Sequence, residues 1–472
     1  MTSTTARRPW PFTTWEVAGV GAAMIAGAAG TLFGPLPLVV AAGGAALLVA
    51  MVRAPGLVLG AYLLIPYYKG AVQPYSPIDL TVVLAVANAA QIVPVLFRRR
   101  RPAGFGGRLA LWLALGAVVL GGVLYAPDPS LAMNKAVTYW VLVVMPLVPA
   151  ALRVVSEPGQ LALVATAFCA MGAVVSVLGL DLLSPNSRLT VLGMNTIQVA
   201  RAAMFLPITG ILFAIPLQLR WLTILTIALI PISLVVALAS GSRGPLLVIA
   251  VLGTCGAARY FARMRVGRWR ALAAGAGVAV LGVLVVALFS SSLPAASLAR
   301  FGDLLAFIQG TGGGTETSAA VRVVLFGFAV QLWSSSPLIG VGTGGFLVLS
   351  TLALGPAGDA YPHNAILQVL AENGLVGLVV FGAVMMVGLL RKLPNDSVAA
   401  TVHALYAFFL LNAMVSGDIF TDRETLGLLL LLLVLPRTVD AARDAAHGIR
   451  QGAAKSGEVS TDPIRQAQGV RA

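Results

Sequence analysis

Apolar runs follow one another along most of this chain, separated by short polar breaks. Candidate spans fall near 14–32, 36–52, 55–67, 78–97, 109–125 and 136–152. More follow near 161–180, 196–217, 221–240, 245–260 and 271–291, and the last three near 365–390, 398–416 and 426–436. A straight crossing of a bilayer takes about 20 apolar residues, and several runs are shorter, so the expected count is about 12 to 14. A membrane β-barrel would show short alternating strands instead. The pattern predicts an all-α fold, a polytopic transmembrane helix bundle.

The polar stretches divide it. Residues 1–13 read as a cytoplasmic N-terminus and 14–291 as transmembrane helices. Residues 292–363 read as one large external loop with short amphipathic helices, 364–436 as C-terminal transmembrane helices, and 437–472 as a polar, disordered cytoplasmic tail. In the loop, "SLARFGDLLAFIQ" is apolar on one face and reads as a helix lying on the membrane surface. After "GTGGGTET", the apolar stretch to Phe346 is broken by Pro337 and several glycines, and reads as two partly inserted helices.

Composition narrows the class. Only 10 % of residues are charged and 58 % are hydrophobic, whereas a soluble chain carries about a quarter charged residues. The 51 glycines suit close helix contact in lipid. A net charge of +14 would suggest nucleic acid in a soluble protein. Here Arg and Lys cluster in short loops and at the termini, so membrane lipids are expected as partners and nucleic acid is not. Cys169 and Cys255 lie in apolar runs and read as free thiols, too few for a metal site. Arg7 and Arg8 precede the first run, and no persuasive cleavage site follows it, so that run reads as a retained span.

Charge also orients the chain. "RRRRPAGFGGR" (98–108) and "RYFARMRVGRWR" (259–270) belong on the cytoplasmic side. An even number of candidate spans separates them, so the two assignments agree. The same parity puts Arg53, Arg391 and Lys392 inside. It puts residues 181–195, the turn "SGSRGP" (240–245), the 292–363 loop and "GDIFTDRE" (417–424) outside.

Four cationic or titratable residues then gather on the outer face beside apolar sequence: Arg201, Arg243, Arg322 and His363. External arginines run against the positive-inside trend. Each also has a plain reading. Arg243 anchors a turn at headgroup level, Arg322 meets lipid phosphate, or His363 caps a helix. Deeper in the chain, Asn364, Gln368 and Glu372 follow i, i+4, i+8 spacing and make one polar stripe. Glu372 sits about 12 Å along that helix. The stripe is either a helix–helix hydrogen-bond seam or one wall of a polar cleft. Arginine suits phosphate oxygens because its planar fork donates two hydrogen bonds and keeps its charge. A neutral histidine can take a proton from an attacking hydroxyl. Together they fit a transferase acting on a lipid diphosphate.

Three motifs carry a resemblance: "SGSRGPLL" (240–247), "RVVLFGFAVQLWSSSPLIGVGTGGF" (322–346) and "PHNAILQVLAENGLVGLVVF" (362–381), with weaker support from "GMNTIQVAR" (193–201). In combination they resemble the O-antigen ligase / O-antigen polymerase family of bacterial membrane glycosyltransferases. The resemblance covers roughly the C-terminal 60 % of the chain. It implies an enzyme of the bacterial cytoplasmic membrane with its active site on the external face. The implied donor is a glycan on a polyprenyl diphosphate, and the acceptor a glycan, lipid or protein. It implies that His363 is catalytic and that Arg201, Arg243 and Arg322 bind the diphosphate. Asn364, Gln368 and Glu372 are expected to orient the acceptor or support the cleft. No Asp-x-Asp pair lies on the external face. That agrees with a metal-independent reaction without cofactors, in which arginines replace a cation. Ligase and polymerase remain open within the family. A lipid-linked glycan flippase is the alternative from another class, but it should spread charge through several spans, and here charge gathers on one face.

Overall fold

The computed structural model describes residues 46–76, 78–97, 105–183, 188–218, 220–263, 318–355, 361–391, 393, 396–418 and 422–435. Several expected segments lie outside the described residues. They are the N-terminus with its first span, most of 36–52, the basic turn at 264–270, the 271–291 span, the surface helix at 297–309 and the tail. No strand occurs among the described residues. The main helices are α1 (Pro55–Leu63), α2 (Leu80–Ala89), α3 (Phe105–Gly121), α4 (Pro129–Ser156), α5 (Gln160–Asp181), α6 (Thr196–Leu217) and α7 (Arg220–Ala239). They continue with α8 (Arg243–Arg263), α9 (Ser318–Ser335), α10 (Gly345–Leu354), α11 (Ala365–Leu389), α12 (Ser397–Ser416) and α13 (Arg423–Val434).

By length and apolar composition, seven helices among the described residues can cross a membrane, or up to nine if two bent pairs each count once. The bent pairs depart from the expected straight runs. Ala46–Arg53 meets α1 at 112°, and Lys69–Tyr75 meets Leu80–Leu96 at 103°. The first bend follows from Pro55. The residue before a proline is pushed out of the helical region, and Ala54 has φ −135° and ψ 52°. At nine residues, α1 reaches only about 13 Å, well short of a hydrocarbon core of about 30 Å. It is instead a core element: Leu59, Tyr62 and Leu63 are fully buried.

Proline shapes α4 too. Pro146 has no N–H for the Leu142 carbonyl, and the preceding turn widens to a π stretch over Trp140–Val144. The Tyr62 hydroxyl of α1 donates to that carbonyl, so the buried acceptor is satisfied.

The core centres on α6, whose residues 202–210 are all buried. Phe205 meets Tyr67 and Phe168 edge-on, each at 5.1 Å between ring centroids, and meets Phe409 of α12 at 5.5 Å. Such edge-to-face pairs add about 0.5–1.5 kcal/mol beyond area burial, which matters where lipid gives helices little hydrophobic reason to associate. Close approach requires Gly56, where an added Cβ would sit 2.0 Å from the Gln160 carbonyl oxygen. Its amide donates to the Gln160 Oε1 at 3.1 Å and ties α1 to α5.

Side-chain caps set the helix starts. Asn195 and Gln198 form a capping box on α6. Asp128, Asp396 and Asp422 cap α4, α12 and α13. Each such cap contributes about 1 kcal/mol. At the C-terminal end of α13, Arg108 and Arg391 both donate to the Leu433 carbonyl, at 3.0 and 2.7 Å. Both belong to the set that parity assigns inside. The loops of the other set converge at the opposite end, and there the chain builds a cavity.

Candidate functional site

A cavity of about 310 Å³ is lined by residues from three of the segments that parity groups together, 181–195, 240–245 and 292–363, and by the end of α12. Arg188 and Thr196 come from the approach to α6. Gly241, Ser242 and Arg243 come from the turn between α7 and α8. Arg322 lies in the first turns of α9, His363 just before α11, and Asn412 and Ser416 on the last turns of α12. Residues 134 or more apart from Arg188 thus share one wall, because α6, α8, α9 and α11 all begin at this end.

The start of α8 faces the cavity through Arg243, Gly244 and Pro245. The first amides of a helix have no intrahelical acceptor and carry the positive end of its dipole, so this opening favours an anion. Arg243 and Arg322 are both half-buried at the wall. Two guanidiniums, a third in Arg188, and a helix N-terminus thus line one cavity. Among the described residues, no group of three or more His, Cys, Asp or Glu side chains stands close enough to hold a metal ion.

His363 has φ +56°, a left-handed backbone that few non-glycine residues adopt, though histidine does so more often than most. Its ring packs edge-on against Tyr361, with centroids 4.7 Å apart. The helix cap falls to its neighbour. Asn364 Oδ1 accepts the Leu367 amide at 3.0 Å, and Asn364 Nδ2 donates to the Met414 carbonyl at 3.0 Å. Asn364 therefore starts α11 and pins it to α12, while His363 is among the residues lining the cavity.

The rest of the polar stripe stands away from that wall. Gln368 is fully buried and donates to Asp418 Oδ1 at 2.8 Å. Glu372, also fully buried, accepts the Gly344 amide at 2.9 Å and a further backbone hydrogen bond from Phe346, with Lys135 as the nearby cation. Neither residue lines the cavity. Asn364, Gln368 and Glu372 thus each hydrogen-bond to another segment, as a seam between helices does, and none of them is among the residues lining this cavity.

Arg201 also lies outside the cavity lining. Its guanidinium donates to the Ser416 carbonyl and faces the Tyr67 hydroxyl and the Asp422 carboxylate. Burial pushes the Asp422 carboxyl up, against the hydrogen bonds from Thr425 and the charge of Arg201. Arg188, by contrast, reaches the wall and escaped the sequence reading. Its signal was modest: one arginine in an external loop that also carries Pro185 and Asn186.

The two long motifs meet each other. At Gly374 the helix α11 opens, with φ +61° and ψ −158°. Residues 337–342 run alongside the opened turn. Val341 and Gly342 donate to the carbonyls of Ala371 and Glu372, each at 2.9 Å. Leu375 and Val376 donate to the carbonyls of Pro337 and Leu338, at 2.9 and 3.0 Å. "PLIGVG" and "ENGLV" are thus two halves of one paired element, and it fixes the α9–α10 hairpin that carries Arg322 against α11.

Residues 227–382 match the family model described as O-Antigen ligase. The matched segment, about a third of the chain, holds the α7–α8 turn, Arg243, Arg322, His363 and both paired motifs. No curated protein matches the chain.

Proposed function

Proceeding from an O-antigen ligase-family segment at residues 227–382, we propose that the cavity is the active site of a membrane glycosyltransferase. It moves an oligo- or polysaccharide from a polyprenyl diphosphate carrier to a glycan, lipid or protein acceptor. The observation that carries this reading is the convergence of Arg243, Arg322 and His363 on one cavity at the start of α8. The diphosphate lies against the guanidiniums and the helix N-terminus, and the carrier's isoprenoid runs down the apolar flank of the bundle. The positive-inside distribution supports an orientation with this end on the external face of the bacterial cytoplasmic membrane.

In the reaction, His363 takes the proton from the acceptor hydroxyl as that oxygen attacks the anomeric carbon. The bond from that carbon to the phosphate oxygen breaks, and the diphosphate departs with the electron pair. Its growing negative charge meets fixed guanidiniums, which act in place of a divalent cation. A single displacement inverts the anomeric configuration. Because Asn364 supplies the cap, removing the imidazole spares the helix start.

The test uses purified protein, purified lipid-linked donor and acceptor. His363→Ala is expected to lower transfer by about 10² to 10⁴ with an unchanged thermal midpoint. Near-wild-type turnover removes His363 from the role, and a product with retained configuration removes the single displacement.

A further inference from the structure

The cavity carries a polar group whose chemistry a diphosphate cannot meet. We propose that Asn412, on α12, holds the glycan of the donor. Its carboxamide oxygen accepts a hydrogen bond from a hydroxyl or amide N–H of the sugar next to the diphosphate. The inference rests on the reading of the cavity as the donor site.

Asn412 lies near the end of a helix long and apolar enough to span the membrane, and it is only 1 % exposed. An amide in such a place costs free energy unless its polar atoms find partners. With Val415 and Ser416 it forms the face of α12 that lines the cavity, at i, i+3 and i+4 spacing. An added Cβ at Gly244, in the first turn of α8, would lie 3.1 Å from Val415 Cγ1. This face of α12 therefore stands against the helix start that carries Arg243. The Met414 carbonyl accepts from Asn364 at 3.0 Å, which ties the same end of α12 to the neighbour of His363.

The amide is half satisfied from within. Asn412 Nδ2 turns back and donates to the Phe408 carbonyl of its own helix at 2.8 Å. No donor among the described residues meets its Oδ1, and the cavity is the space that the residue borders. That oxygen accepts hydrogen bonds and gives none. Of the three parts of a glycan on a polyprenyl diphosphate, the isoprenoid has no hydrogen-bonding group. The ionised diphosphate offers acceptors, which repel another acceptor. The glycan alone brings hydroxyl and amide N–H donors, and its first sugar is bonded directly to the diphosphate, so it enters the same cavity. Arginines that read phosphate accept the carrier with or without its glycan. Asn412 gives the site a means to tell the loaded carrier from the spent one.

The measurement is the affinity of purified protein, in zwitterionic nanodiscs, for two ligands, read beside the thermal midpoint. One is the purified lipid-linked glycan donor and the other is polyprenyl diphosphate without a sugar. Asn412→Ala removes the amide without adding bulk, and Asn412→Leu removes it while keeping the shape. Both are expected to weaken the glycan donor by about three- to tenfold, as one lost neutral hydrogen bond does, and to leave the bare diphosphate within about twofold. Asn88 of α2 makes the same back-bond, to the Leu84 carbonyl at 2.8 Å, and is not among the residues lining the cavity. Asn88→Ala is expected to change neither affinity, and Arg243→Gln to weaken both. Wild-type affinity for the glycan donor in both Asn412 variants overturns the proposal. So does an equal loss for the two ligands, which is what a phosphate contact or a loosened α12 would give. Unchanged donor affinity with a raised acceptor KM also overturns it and moves the contact to the acceptor's hydroxyl. If Arg243→Gln weakens both ligands and the Asn412 variants bind as wild type does, this inference alone falls. If the wild-type protein binds neither ligand, the functional reading falls with it.

Discussion

The carboxylate of Glu372, on α11, accepts the amide of Gly344 at 2.9 Å, at the very start of α10. A second backbone hydrogen bond comes from Phe346. Glu372 therefore caps a neighbouring helix at the point where its own helix opens, and holds the hairpin that carries Arg322. Glu372→Ala leaves buried amides unsatisfied and is expected to cost about 1–3 kcal/mol. Glu372→Gln keeps an acceptor oxygen and is expected to cost less. Thermal unfolding in detergent ranks the three proteins. An alanine variant as stable as wild type would remove the clamp.

Gly374 sits at φ +61° and ψ −158°, a region open essentially to glycine alone. An added Cβ would lie 2.4 Å from both the carbonyl carbon and oxygen of Leu338. Gly374→Ala is expected to combine about 1–3 kcal/mol of backbone strain with loss of the pairing to residues 337–342. Gly382, on the same helix, has nothing within 4 Å of an added Cβ, and Gly382→Ala is the matched control. Equal yields and midpoints for the two variants would show that the opened turn is dispensable.

Arg243 and Arg322 line the cavity. Each is expected to offer a two-pronged contact to the diphosphate. Arg243→Lys and Arg322→Lys keep the charge and lose the fork, so transfer is expected to drop by about tenfold in each. A headgroup anchor would tolerate lysine. Steady-state transfer with purified donor decides between them, and full activity in both variants ends the phosphate-clamp reading.

Sidedness is open to labelling. Thr190 is exposed at the cavity end, and Gln218 is exposed at the far end of α6. In a background without Cys169 and Cys255, a membrane-impermeant maleimide applied to intact cells is expected to reach Thr190→Cys and to miss Gln218→Cys. The reverse pattern would put the cavity in the cytoplasm and exclude a donor on the external face.

The sequence by itself determined the class, and it did so through solvation. A chain with so few charges and so many long apolar runs must satisfy its backbone internally, which in lipid leaves helices. Arginine placement sorted the loops into two sets, and the described residues of those sets lie at opposite ends of the bundle. Arg243, Arg322 and His363 were legible as a group because external arginines beside apolar sequence run against the positive-inside trend. Tertiary structure decided what spacing leaves open. Which arginine meets the cavity is a packing matter: Arg201, on α6, turns to the Ser416 carbonyl at the end of α12, whereas Arg188, in the approach to α6, reaches the wall. The bends at Ala54 and after Lys69–Tyr75 came from helix breaks whose angles no periodicity encodes. The i, i+4, i+8 stripe gave one polar face, yet only the opened turn at Gly374 could show that Glu372 spends its carboxylate on α10. A polar residue in a membrane helix must find a partner, and the identity of that partner is a property of contacts between segments far apart in the chain.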